Sequence, residues 1–227
     1  MGSMRVTGYA ITALGSRKEN QDSYMVDNDR GLFAVADGIG GGERGDVASL
    51  MAVTGVGAHP MDEEGARLRD TVDTIQEAVL REAMESLGEA RMGTTLTCIR
   101  IRGNEGELVH VGDSRCYKFA EGHLVLLTTD HESYDESYGG PVLSSYLGIP
   151  TDLFPFQVQE EAVPLKAGDR LLLCSDGLYK QVAENELVAT IQKHYTEPEV
   201  MLKSLVAQAV TAEHSDNVTI VYIEFED

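Results

Sequence analysis

The alternation of apolar and polar positions changes period several times along the chain, and each change marks an element. Arg5 to Leu14 and Leu32 to Ala36 read as extended, the second breaking off at Asp37-Gly38. Two helices are expected next, from about Glu43 to Gly57 and from about Glu63 to Ser86. The second sets Leu68, Val72, Ile75, Val79 and Met84 near one stripe, with its acids on a solvated face. From Thr94 to Thr129 the period shortens to that of strands: Thr95–Arg102, Glu107–Val111, Arg115–Phe119 and His123–Thr128. Turn residues such as Gly103-Asn104 and Glu121-Gly122 separate them, which predicts an antiparallel meander. After a polar, Gly- and Tyr-rich stretch from His131 to Gly140, Phe156–Val163 and Arg170–Cys174 read as strands. Glu184–Tyr195 and Glu197–Glu213 read as helices and Asn217–Phe225 as a last strand. The order of strands, helix pair, strands, helix pair, strand predicts an α+β fold rather than alternating βαβ units. The expected form is a four-layer α-β-β-α sandwich, two antiparallel sheets face to face with a helix pair outside each. With no repeat and no linker, residues 5–227 read as one domain. Met1-Gly2-Ser3-Met4 reads as a cloning scar ahead of a start at Met4.

Composition narrows the class. Among 227 residues, 38 Asp and Glu stand against 18 Lys and Arg, a formal net charge of −20 that disfavours nucleic acid as a partner. With 42% hydrophobic and 25% charged residues the chain is of the soluble globular kind, and no apolar run approaches the roughly 20 residues of a spanning helix. A membrane is therefore not expected. Cys98, Cys116 and Cys174 are odd in number, far apart and set among strand-like residues. They read as buried reduced thiols, not as bridges or a zinc site, and point to the cytoplasm.

Candidate chemistry lies where apolar runs end in an aspartate: Leu32 to Asp37-Gly38, Leu171 to Asp176-Gly177, and more weakly Leu108 to Asp113. An ionised carboxylate at the end of a buried strand is costly unless it is paired or bound to a cation. The glycine after it admits close backbone approach and exposes a carbonyl that can itself be a ligand. Asp22 and Asp216 add two carboxylates at strand margins, and oxygen-only donors of this kind suit Mg²⁺ or Mn²⁺. Each Asp-Gly pair taken alone reads equally well as a turn.

Several motifs in order carry a resemblance. Arg17-Lys18-Glu19-Asn20-Gln21-Asp22, Asp37-Gly38-Ile39-Gly40-Gly41, Gly93-Thr94-Thr95 and Val111-Gly112-Asp113-Ser114-Arg115 are followed by Thr129-Asp130-His131, Cys174-Ser175-Asp176-Gly177-Leu178 and Asp216-Asn217-Val218-Thr219. Together they resemble the metal-dependent type 2C protein serine/threonine phosphatases of the bacterial branch, over about residues 5 to 225. Each motif is weak alone, whereas the full ordered set is specific. The resemblance implies two ions, Mn²⁺ or Mg²⁺, with the third found in many members. It implies that Asp37 bridges two metals, that the Gly38 carbonyl binds the second, and that Asp176 and Asp216 complete the first metal's shell. Asp22 would hold metal-bound water, Asp130 with Asp176 would hold the third ion, and Arg17 would grip the phosphoryl oxygens, a bidentate task that Lys18 could not perform. Asp113 reads as structural, paired with Arg115. The implied reaction is hydrolysis of phosphoserine and phosphothreonine on proteins by metal-activated water. The implied partners are a phosphorylated protein and a cognate Ser/Thr kinase, with the enzyme a monomer.

Departures from the family pattern shape the expectation. Many relatives carry a histidine at the positions of Ile39 or Gly42, and this chain does not. Leaving-group protonation then falls to His131, His214 or metal-bound water, and aryl phosphates, which need an acid less, are expected to turn over more readily. Asp46 stands where the family usually shows Glu. The longer helical flap typical of bacterial relatives is cut down to a loop at about residues 131–142, ahead of Leu143-Ser144-Ser145-Tyr146-Leu147-Gly148. Two other readings stand beside this one: a catalytically silent module that senses phosphate or metal, and a partner-switching phosphatase dedicated to one regulatory protein.

Overall fold

Three strands of the chain are apolar on both faces, and this decides the architecture. The computed structural model describes residues 4–39, 44–60, 65–87, 92–211 and 213–227. Its elements are β1 (Arg5–Ala13), β2 (Asp22–Asp27), β3 (Leu32–Asp37), α1 (Gly45–Gly57), α2 (Leu68–Leu87), β4 (Leu96–Arg102), β5 (Glu105–Val111), β6 (Arg115–Ala120), β7 (His123–Leu126), β8 (Glu132–Asp135), β9 (Gly140–Leu143), β10 (Gln159–Pro164), β11 (Arg170–Cys174), α3 (Asp176–Tyr179), α4 (Glu184–Lys193), α5 (Pro198–Ala209) and β12 (Val218–Glu226).

The strands form two antiparallel five-stranded sheets, ordered β1-β12-β11-β6-β7 and β10-β5-β4-β3-β2, plus a β8-β9 hairpin. Alternation then assigns each side chain a layer. In β3, Leu32, Ala34 and Ala36 face α1 and α2, while Phe33 and Val35 enter the space between the sheets. In β11, Leu171 and Leu173 face the other sheet and Leu172 and Cys174 face α4 and α5, and β12 divides the same way. Strands covered on both sides are apolar over most of their length, on both faces, which is why they read as near-continuous runs. The α-β-β-α sandwich expected from element order is the observed fold. All three cysteines are free and buried, and no helix among the described residues is long and apolar enough to cross a membrane.

The structure differs from expectation at several points. Residues 94–129 are not one meander: β4-β5 belong to one sheet and β6-β7 to the other, with the crossing at Gly112, whose φ is 103°. The α2 stripe closes on Ala83, since Met84 is 51% exposed, and the helix begins at Leu68. The expected starts of the first two helices, Glu43 and Glu63, lie outside the described residues, as do Gly40, Gly41 and Gly42 and the first three residues. The segment at about residues 131–142, expected as a loop, carries the β8-β9 hairpin. Asp135 Oδ1 accepts from the Ser137 N–H at 2.8 Å, and Gly139 takes φ 69° to close the turn. β2 and the single turn of α3 are additional elements.

Candidate metal and phosphate cleft

The ends of β3, β5 and β11 and the start of β12 open onto one cleft of about 620 Å³. Its lining includes Arg17, Lys18, Glu19, Gln21, Asp37, Gly38, Ile39, Asp113, Leu143, Asp176 and Asp216.

Asp37 is the last residue of β3, and its backbone is clamped by the Gly93-Thr94-Thr95 segment. The Asp37 N–H donates to Thr95 Oγ1 at 2.9 Å, and the Asp37 carbonyl accepts from the Thr95 N–H and from Thr94 Oγ1, both at 2.9 Å. Gly38 follows because nothing larger fits: a Cβ there would stand 2.3 Å from the Gly45 carbonyl oxygen and 2.6 Å from that of Gln21. Asp22 faces Asp37 directly across the β2–β3 pair, which sets the two Cβ atoms about 5 Å apart. Asp22 Oδ2 accepts from Ser175 Oγ at 2.8 Å, and that oxygen in turn accepts the Thr219 N–H at 2.9 Å. Asp176 is thereby held one residue beyond a side chain tied to both β2 and β12. Gly177 lets α3 sit against β12, since a Cβ would lie 2.0 Å from the Asn217 carbonyl oxygen. Asn217 pins the segment before β2 by accepting from the Gln21 N–H and donating to the Leu14 and Glu19 carbonyls. Asp216 pairs with Arg17 at 2.6 Å.

The electrostatics follow from this crowding. Burial, then the charges of Asp22, Asp176, Asp113 and Asp216, hold the Asp37 carboxyl well above the usual range. Burial likewise pushes Asp22 to about 6, and burial with the Asp176 charge pushes Asp113 to about 6. Asp22 Oδ1 and Asp176 Oδ1 are buried with no hydrogen-bond partner. Two orphaned carboxylate oxygens in an oxygen-only, strongly negative cleft fit a hard divalent cation. Among the described residues no three acidic, His or Cys side chains stand together closely enough to hold a metal ion as placed. Side-chain cations engage two of the acids instead, Arg17 on Asp216 and Lys180 on Asp176 at 2.7 Å.

Of the residues singled out from sequence, Arg17, Asp37, Gly38, Asp176 and Asp216 line the cleft, and Asp22 lies directly behind Asp37. Asp130 is elsewhere. It takes Arg115 in a bidentate pair, with Nε at 3.0 Å from Oδ1 and Nη2 at 2.7 Å from Oδ2. The expected Asp113–Arg115 pair does not form, because the chain turns at Gly112 and sends Asp113 into the cleft while Arg115 starts β6. Among the described residues no histidine lines the cleft. His131 Nδ1 accepts the Gly112 N–H at 3.1 Å, and its ring lies 5.0 Å from that of His110; His214 is exposed. Lys180 was not anticipated, and Asp113, weakly marked by the apolar run before it, lies in the cleft although the resemblance had it structural. The i,i+4 spacing of Asp176 and Lys180 was the available signal for the first.

Comparison with known proteins agrees with the motifs. The family model described as protein phosphatase 2C matches residues 12–210. The serine/threonine protein phosphatase PstP of Mycobacterium tuberculosis is 33% identical over 230 residues, covering 93% of this chain. The chain spans 43% of that relative's length. Among solved structures, PppA of Pseudomonas aeruginosa, described as a regulatory component of T6SS, superposes with a TM-score of 0.86 at 29% identity, over 97% of each chain. The catalytic domain of PstP in complex with two manganese ions gives 0.81 at 29% identity, over 99% of this chain and 100% of that one.

Proposed function

The chain belongs to the protein phosphatase 2C family, and from that premise we propose that it hydrolyses phosphoserine and phosphothreonine on proteins with two divalent cations, Mn²⁺ or Mg²⁺, in the cleft. One observation carries this reading. Carboxylates from five separate chain segments, Asp22, Asp37, Asp113, Asp176 and Asp216, meet beside Arg17, and two of their buried oxygens lack any partner. Asp37, the Gly38 carbonyl, Asp176 and Asp216 are the groups proposed to hold the ions. Bound there, such ions supply Lewis acidity toward a phosphoryl oxygen and lower the pKa of a water nucleophile.

The chain's own groups do the rest. Asp22, held through one oxygen by the Ser175 hydroxyl and with its other oxygen free of any protein partner, would take a hydrogen bond from the water nucleophile and orient it. Arg17 is 54% exposed and reaches Asp216 from the rim of the cleft, so it exchanges that partner for two phosphoryl oxygens without leaving its loop. The net charge of −20 repels a phosphorylated substrate at long range, which leaves Arg17, with Lys18 beside it, as the local side-chain attraction at the cleft. Leu143, at the end of β9, puts the flap hairpin on the cleft wall, where the peptide around the phosphoresidue would lie. We place the reaction in the cytoplasm, opposite a Ser/Thr kinase, with a single chain sufficient. Phosphate release from a phosphothreonine peptide, measured after exhaustive chelation and again with Mn²⁺ or Mg²⁺ restored, tests it. Turnover should vanish and return. Failure of both ions to restore turnover would favour a silent sensing module.

A further inference from the structure

Lys180 is a cation of the cleft region that the proposed reaction does not use. It follows α3, four residues after Asp176, a spacing that puts both side chains on one side of the turn. Its Nζ donates to Asp176 Oδ2 at 2.7 Å and stands 3.5 Å from Asp113 Oδ2. The segment that presents it is braced. Tyr179 Oη donates to the Asp113 carbonyl at 3.0 Å, tying α3 to the crossing between the sheets. The Arg115 guanidinium lies 3.7 Å above the Tyr179 ring while Asp130 holds it in the bidentate pair. Asp113 is itself buried at 6% exposure, so the ammonium meets two acids fixed by separate segments.

Two carboxylates facing each other across a small gap are the donors a divalent ion takes. Here the gap holds a single positive charge on a covalent tether, at an effective concentration no free ion matches. A divalent ion on the same oxygens would meet the ammonium's repulsion and would have to expel it. We propose that Lys180 is a tethered cation filling the Asp113–Asp176 pair, so that this protein binds divalent ions on the Asp37 side only and gains one further ion site when the ammonium is removed. The proposal rests on the metal-dependent reading above and assigns Lys180 a positioning role.

Titration calorimetry with Mn²⁺ alone tests it through ion count, independently of turnover. Lys180→Met should bind one more Mn²⁺ than wild type, and the added ion should disappear in Lys180→Met with Asp113→Asn. Lys180→Arg, which keeps the charge, should bind as wild type does. In the wild-type background, Asp113→Asn should leave the count unchanged; should Lys180→Met not fold, this variant carries the test alone. An unchanged count in folded Lys180→Met, or loss of an ion in Asp113→Asn, overturns the proposal. A wild-type chain that binds no Mn²⁺ overturns the metal-dependent reading itself, and the two failures are distinct in the same titrations.

Discussion

Replacing Asp22 by Asn should stabilise the metal-free protein and weaken its response to metal, a reversal that only an unpaired buried carboxylate produces. Burial moves the Asp22 carboxyl from 3.8 to about 6. At ~1.4 kcal/mol per pH unit, holding Asp22 ionised in the folded state costs about 3 kcal/mol. The sign follows from proton uptake. Between the two values the folded chain keeps a proton that the unfolded chain has released, so stability falls as pH rises through that window and the cost is complete above it. Asn keeps the Ser175 Oγ bond through its own oxygen and turns its amide to where Asp22 Oδ1 has no partner. If that amide is imperfectly paired it gives back about 1 kcal/mol. The net gain at pH 8 is about 2 kcal/mol, which is roughly 4–8 °C in Tm for a chain of this size. Urea unfolding of chelator-stripped protein at pH 8 and pH 4 reads it: Asp22→Asn should be the more stable at pH 8, with the advantage gone at pH 4. Adding Mn²⁺ should stabilise wild type more than the variant, since only ligand bound to the folded state contributes. A variant less stable than wild type at pH 8 without metal, or a difference that ignores pH, would refute the reasoning.

Further expectations follow from groups around the cleft. Burial and the neighbouring His131 lower His110 to about 3, and its ring is hydrogen-bonded to Thr97 Oγ1 and the Thr129 carbonyl. The unfolded chain therefore takes up this proton first, and the folded state loses ~1.4 kcal/mol per pH unit as pH falls below about 6.5. The stability gap between wild type and His110→Gln should narrow from pH 6.5 to 4.5 in urea titrations, and parallel curves would contradict this. Asp130→Ala should cost about 2 kcal/mol by leaving Arg115 without its carboxylate partner, with the Mn²⁺ count unchanged; a lost ion would return Asp130 to the metal set. Arg17→Ala should raise KM several-fold for a phosphopeptide with kcat nearly unchanged, as loss of uniform binding does. An unaltered KM would leave Arg17 a rim ion pair with Asp216.

What could be read from sequence divides along physical lines. β3 and β11 were legible because burial on both faces leaves continuous apolar runs, β12 because apolar residues stand on both its faces despite Thr219 and Glu224, and Asp37 and Asp176 because each ends such a run. β2 was not, since its residues Asp22 to Asp27 lie on a sheet edge, where Tyr24 is exposed and no apolar face repeats. The flap hairpin carries Ser133 and Tyr134 to solvent, so it too lacks a buried stripe. α3 is a single turn of 4 residues, too short for a helical period to repeat. The partner of Asp113, expected from the resemblance to be Arg115, differs because the positive φ of Gly112 turns the chain at the crossing and separates the two side chains. Asp130 takes Arg115 in the bidentate pair, a contact between β6 and the segment after β7 that local spacing does not reveal.

The most direct measurement is the number of Mn²⁺ ions bound by wild type and by Asp37→Asn, taken with the rate of phosphopeptide hydrolysis in the same samples. Asp37 stands at the centre of the acidic cluster, and its carboxyl is the one raised by all four of Asp22, Asp176, Asp113 and Asp216. The wild-type chain should bind two ions and turn over. Asp37→Asn, with an unchanged circular dichroism spectrum, should bind neither at the same concentration and lose activity. A folded Asp37→Asn that binds Mn²⁺ like wild type and hydrolyses the peptide at the wild-type rate would contradict the metal-centred account.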